Sequence, residues 1–227
     1  MPREFELETF GPKMAEFAES EAASGSPYLY SLGIVRLWSI LETFVGDVAL
    51  IQLKYRKEAL QSKALRSIQV PAVEFLAAEE DERLRSLFVR LREATRAPLQ
   101  NGAGKFEALL DAVAIGGPIH APVRKALLEL SQLRNAIVHT AGRADSRLLE
   151  ACPWLELKEG DPINPQEIQF DLFVYSSDWY TLELARRFTV AFDAEEAGHQ
   201  AKLREDMANL VDLVWKRRDE ARTERNK

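Results

Sequence analysis

The chain of 227 residues is 46% hydrophobic and 29% charged, with 11 Gly and 10 Pro. That composition excludes a wholly disordered or fibrous chain, and the length suits a single domain with its own core. The lone cysteine, Cys152, excludes an intrachain disulfide and a closed thiolate zinc site and fits a reducing cytoplasm, while 30 basic against 36 acidic residues, net −6, argue by themselves against a nucleic-acid partner.

The opening, MPREFELETF, lacks the basic start and apolar run of an export signal. No apolar stretch approaches the roughly 20 residues needed to span a bilayer, so no membrane contact is expected. The N-terminal piece, to Ala23, carries six Glu against Arg3 and Lys13. Its pattern is helical and divided at Gly11-Pro12, with Pro12 suited to a first turn, and Ser24 to Pro27 form a turn or short linker. From Tyr28 to about Ala59 a long helix is expected, with Leu37, Leu41, Phe44, Val48, Ile51 and Tyr55 on one face.

Val70-Pro71 opens a further helix, to about Thr95. Glu79 to Glu82 are consecutive acids, whereas Arg83, Arg85, Arg90, Arg92 and Arg96 follow with only Glu93 among them. Ala97-Pro98 and Asn101 to Gly104 read as breaks, the latter a flexible loop. Asn101-Gly102-Ala103-Gly104-Lys105 is not a Walker loop, because position 99 is Leu and position 106 is Phe. A short helix spans Phe106 to Ile115, and a longer one runs from Pro122 to His139. Asp145 reads as the N-cap of a short helix after Gly142.

A small β-hairpin is expected next: Trp154 to Leu157 and Ile168 to Tyr175 flank a Gly-Asp-Pro-Ile-Asn-Pro connection, and the second run begins with alternation. From Asp178 the pattern is helical again, toward the end. The last twelve residues, from Lys216, hold nine charges and read as a solvated helix end. The fold class is therefore mainly α, a helical bundle with a small hairpin insertion and a long C-terminal helix. No internal repeat or domain boundary stands out.

The informative stretch is Ala126 to Gly142, ALLELSQLRNAIVHTAG. On a helical projection with Val123 at zero, Arg134 falls at about 20°, between Leu127 at about 40° and Leu130 at about 340°. An Arg on an apolar face must meet an anion, a buried polar partner or a wet interface. Ser131, Asn135 and His139 form a polar strip beside it, and Gly142 suits the helix end. An always-charged fork donor, an amide and a titratable imidazole thus share one helix end. Guanidinium matches phosphate geometry, and imidazole moves protons near neutral pH. Together they suffice for metal-free cleavage of a phosphodiester beside a 2′-hydroxyl.

Arg134-Asn135-Ala136-Ile137-Val138-His139 resembles the Arg-x4–6-His motif of HEPN domains, in particular those of the toxin and phage-defence type. The likeness covers roughly Tyr28 to Pro153 in architecture and Leu130 to Asp145 in residues. It implies a single HEPN-like domain over 1–227, with its core at about 28–153 and the hairpin and C-terminal helix at about 154–227. It also implies a homodimer with one composite cleft, and a metal-independent endoribonuclease that uses no cofactor and leaves a 2′,3′-cyclic phosphate. Carried over, His139 is the acid/base, Arg134 binds phosphate, Asn135 orients the phosphate or the His, and Glu42 is the candidate for an added acidic residue. RNA is the implied substrate, with a cognate antitoxin or defence protein as a further partner. The alternative is a non-catalytic HEPN module that binds RNA, nucleotide or protein.

Other features have blander readings. His120, before Pro122, reads as a loop or capping residue. Glu196-x-x-His199 has di-iron spacing but no second such pair. Cys152 reads as a small buried apolar residue. Around the motif the charge reverses: from Pro122 to Arg147 five basic residues face Glu129 and Asp145.

Overall fold

A computed structural model describes residues 3–95, 102–190 and 194–225. Among the described residues there are helices and no strand. They are α1 (Arg3–Ala23), α2 (Pro27–Tyr55), α3 (Lys57–Leu60), α4 (Lys63–Arg66), α5 (Ala72–Ala77), α6 (Glu80–Ala94), α7 (Ala103–Ala112), α8 (Ala121–His139), α9 (Ser146–Ala151), a 3₁₀ turn (Pro153–Leu155), α10 (Glu167–Thr189) and α11 (Ala194–Arg225).

The core is built by α2, α8 and α10, each packed on the other two, with α11 laid along α10. Pro27 starts α2, whose buried stripe is Ile34, Trp38, Leu41, Val45, Ala49 and Leu53. This corrects the expected face by a fraction of a turn: Ile51 and Tyr55 are exposed, and Leu37, Phe44 and Val48 flank the core. Apolar residues occupy both sides of α2, so spacing alone could not choose between them. Gly33 permits the closest approach of α2 to α10, since a Cβ there would lie 2.6 Å from a ring carbon of Phe170. Trp38 stacks on Phe106 of α7 at 4.8 Å between ring centroids, and Phe106 on Tyr180 at 6.0 Å.

These contacts set the directions. Tyr30 meets Phe170, and Trp38 and Tyr180 share Phe106, so α2 and α10 run parallel. Gln169 reaches Glu129 while Trp179 lies beside His120, so α8 runs antiparallel to both. α8 continues ten residues beyond Glu129, whereas α2 has only a few left before its start at Pro27. The last turns of α8 therefore project past the helix that covers its earlier ones.

No hairpin forms. Trp154 and Leu155 sit in the 3₁₀ turn, Glu156 has φ 56°, and the run Ile168 to Tyr175 is the start of α10. Leu172, Phe173, Ser176, Trp179 and Tyr180 are buried at helical spacing. The β-branched and aromatic residues that suggested a strand serve instead to surround a helix packed on two neighbours. One isolated antiparallel bridge, Arg143 with Pro162, ties the preceding loop.

α1 runs unbroken through Gly11 and Pro12, so the expected division there does not occur. The helix expected from Val70 to Thr95 breaks at Ala78 and Glu79, both extended, which leaves Glu80, Asp81 and Glu82 in the first turn of α6 where the helix dipole favours acids. The expected flexible loop is helical from Ala103, while Ala97, Pro98 and Asn101 lie outside the described residues. The C-terminal end is not merely solvated, since Arg218 is buried against Glu129. No described helix is long and apolar enough to cross a membrane.

Candidate active site

α8 is buried around most of its circumference up to Leu133, then opens. Asn135, Val138 and His139 are exposed and Arg134 is half-buried. Arg134 continues the side of α8 that carries buried Val123, Leu127 and Leu130, at the end of α8 that lies beside the start of α2. Its Nη1 donates to Asn135 Oδ1 at 3.2 Å. Its Nε is buried and has no partner, and among the described residues no carboxylate pairs with the guanidinium. His139, the last residue of α8, has no bonded partner among the described residues. Asn135 and His139 are one turn apart on the same side.

The chain beyond His139 is held firmly. Thr140 N and Gly142 N both donate to Ala136 O (3.0 and 3.2 Å), and Ala141 and Gly142 take positive φ of 52° and 72°. Ala144 N donates to Asp161 O and Ile163 N to Gly142 O. Asp145 Oδ1 caps α9 by accepting from Leu148 N at 2.9 Å, as its position predicts. The imidazole therefore stands on a braced turn.

The other predicted residues lie elsewhere. Glu42 pairs with Lys105 of α7 at 3.1 Å, beside Arg92 and Thr95, so this chain does not bring it to Arg134 and His139. His120 Nε2 lies 3.0 Å from Asp212 Oδ1 and tethers the start of α8 to α11. Cys152 is buried, and burial together with the Glu129 carboxylate pushes its thiol up to about 12. Of the basic residues near the motif, Lys125 is spent between the rings of Trp154 and Trp215, 4.7 and 4.2 Å from their centroids. Arg143 and Arg147 remain exposed.

Two buried charge clusters escaped the sequence reading. Glu129 is fully buried; it accepts from Trp154 Nε1 (2.6 Å), Gln169 Nε2 and both terminal nitrogens of Arg218 (3.0 and 2.8 Å). Its projection beside Leu133, at about 240° on the same wheel, was the available signal. Glu183, 1% exposed, accepts from Arg186, Arg187 and Arg204. Burial pushes its carboxyl up, but the three guanidinium groups outweigh that and hold it at about 2. Arg187 continues to Glu107, which also accepts from Tyr180 Oη at 2.7 Å. These clusters join α7, α8, α10 and α11 and are saturated, so they serve the fold.

A cavity of about 260 Å³ lies between Leu133, Ile163, Ile168, Arg218 and Arg222, on a different side of α8 from Arg134. Compared with known protein families, curated proteins and solved structures, the chain matches none.

Proposed function

We propose that the chain is a metal-independent endoribonuclease of HEPN type, acting as a homodimer in which two α8 ends share one cleft. The observation that carries this reading is Arg134, half-buried with, among the described residues, an unpaired Nε and no carboxylate, five positions before an exposed His139 that has no partner among them. An unsatisfied guanidinium nitrogen is costly without an anion. A phosphate supplies one with matching geometry.

In the proposed reaction the RNA 2′-hydroxyl attacks the adjacent phosphorus. One imidazole accepts the 2′-proton as the new O–P bond forms. The P–O5′ bond breaks, and the 5′-oxygen takes a proton from the second imidazole of the shared cleft. The products are a 2′,3′-cyclic phosphate and a 5′-hydroxyl. Arg134 offsets the charge building on the phosphoryl oxygens, and Asn135, bonded to it, holds the guanidinium in place. The bare stretch of α8 at Arg134 and Val138 supports a second copy as its cover, because the same side is buried on every earlier turn. A toxin or defence effector is the setting that suits such an activity.

The test is incubation of purified protein with several RNAs in EDTA, beside His139→Ala and Arg134→Ala. Cleavage by wild type alone is expected. Equal cleavage by His139→Ala would remove that residue from the chemistry. No cleavage of any RNA by wild type would replace this reading with the non-catalytic binding module.

A further inference from the structure

α2 carries more apolar surface than its own core uses. Leu29, Leu32, Ile40 and Ile51 are 63%, 51%, 47% and 41% exposed, and they lie on the side opposite the buried stripe. With Arg36, Thr43, Asp47 and Lys54 they form one stripe along the whole helix. Its spacings repeat as three, four and four residues. That is the eleven-residue pattern, close enough to the turn of an α-helix to keep two helices in contact along their length.

We propose that this outer face of α2 docks a second copy of the chain, the two helices packing antiparallel about a twofold axis between Leu41 and Glu42. Such an axis pairs residues equidistant from it. Arg36 meets Asp47, Leu32 meets Ile51, Ile40 meets Thr43, and Leu29 meets the stem of Lys54, whose ammonium group pairs with Asp81 of α6 in its own chain. A straight stripe would offer matched positions in any sequence; the residue types carry the inference. Opposite charges meet, aliphatic meets aliphatic, and no like charges meet. Neither Arg36 nor Asp47 has a partner among the described residues, so each is available. Two copies of an isologous contact supply two Arg36–Asp47 pairs and two Leu32–Ile51 pairs.

This contact uses none of the residues proposed for RNA cleavage. α8 ends beside the start of α2, and in the antiparallel pair the two starts lie about 40 Å apart. It is therefore a second contact between copies, distinct from the joining of α8 ends, and it stands or falls separately.

Charge exchange tests it. Arg36→Asp and Asp47→Arg should each halve the solution mass measured by light scattering, and the double variant R36D/D47R should restore it. All four residues of the two pairs are exposed, and circular dichroism checks that each variant folds. In a second experiment, oxidation of Leu32→Cys/Ile51→Cys should give a covalent dimer, while either single variant should not, because each cysteine then faces no partner thiol. The only native cysteine, Cys152, is buried and leaves the background clean. An unchanged mass in the single variants would overturn the proposal. So would failure of the double variant to recover the mass, or cross-linking as ready in the single cysteine variants as in the double. RNA cleavage by R36D is a separate readout, expected to persist.

Discussion

Five residues separate Glu129 from Arg134 on α8, and the two charges meet opposite fates. Glu129 is fully buried, and both its oxygens accept two hydrogen bonds from Trp154, Gln169 and Arg218. Arg134 is half-buried and, among the described residues, bonds only its neighbour Asn135 and leaves a buried Nε unmet. The first arrangement closes a fold: every donor finds its acceptor inside one chain. The second is open, and it occurs where α8 outruns the helix that covers it. The saturated charge of Glu129 serves the architecture, whereas Arg134, like Arg83 of α6, keeps a buried Nε without a partner among the described residues.

The comparison is sharpest under substitution. His139→Ala should lower RNA cleavage by about a hundredfold or more, the usual worth of a positioned acid/base, as read by initial rates on a labelled RNA. Glu129→Ala should cost about 3–5 kcal/mol by urea denaturation, because it strands Arg218 in the interior. The paired variant Glu129→Met/Arg218→Met should recover most of that loss, since a well-packed apolar pair often equals a buried ion pair. If Glu129→Ala melts like wild type, the description of α8 as a closed half and an open half is broken.

Glu183 extends the comparison to pH. Its carboxyl is held at about 2 in the fold, against an ordinary value of 4.5. A lowered value means stabilisation that is fully present above the ordinary range and lost as pH falls toward 2. The loss should reach about 3 kcal/mol, and Glu183→Gln should flatten that limb of the stability–pH curve. At the small end, Arg134→Met should either raise stability or lower it by no more than about 0.5 kcal/mol, since it retains the stem and removes an unpaired nitrogen. A loss as large as that of Glu129→Ala would show that Arg134 is architectural.

Much of the fold was legible in the sequence. The bounds of α8, its Pro122 start, the turn after His139 and the Asp145 cap all follow from spacing and capping chemistry. The hairpin was not, because Ile168 to Tyr175 carries residues suited to a strand, and only packing on both α2 and α8 shows why a helix needs them. The buried face of α2 was misplaced because its apolar residues encircle the helix. Arg134 and His139 were readable as residues of one helix end from their spacing. The saturated cluster around Glu129 was not, because Arg218 lies 89 residues away; that around Glu183 was legible only in its local half, since Arg186 and Arg187 follow at three and four residues whereas Arg204 lies 21 away.

The central claim is that the open end of α8 cuts RNA. The most direct measurement is mass spectrometry of RNA ends after incubation in EDTA with wild type and with His139→Ala. Wild type should leave 2′,3′-cyclic phosphate ends, and His139→Ala none above background. Cyclic ends at equal yield from both proteins, or none from either, would contradict that claim.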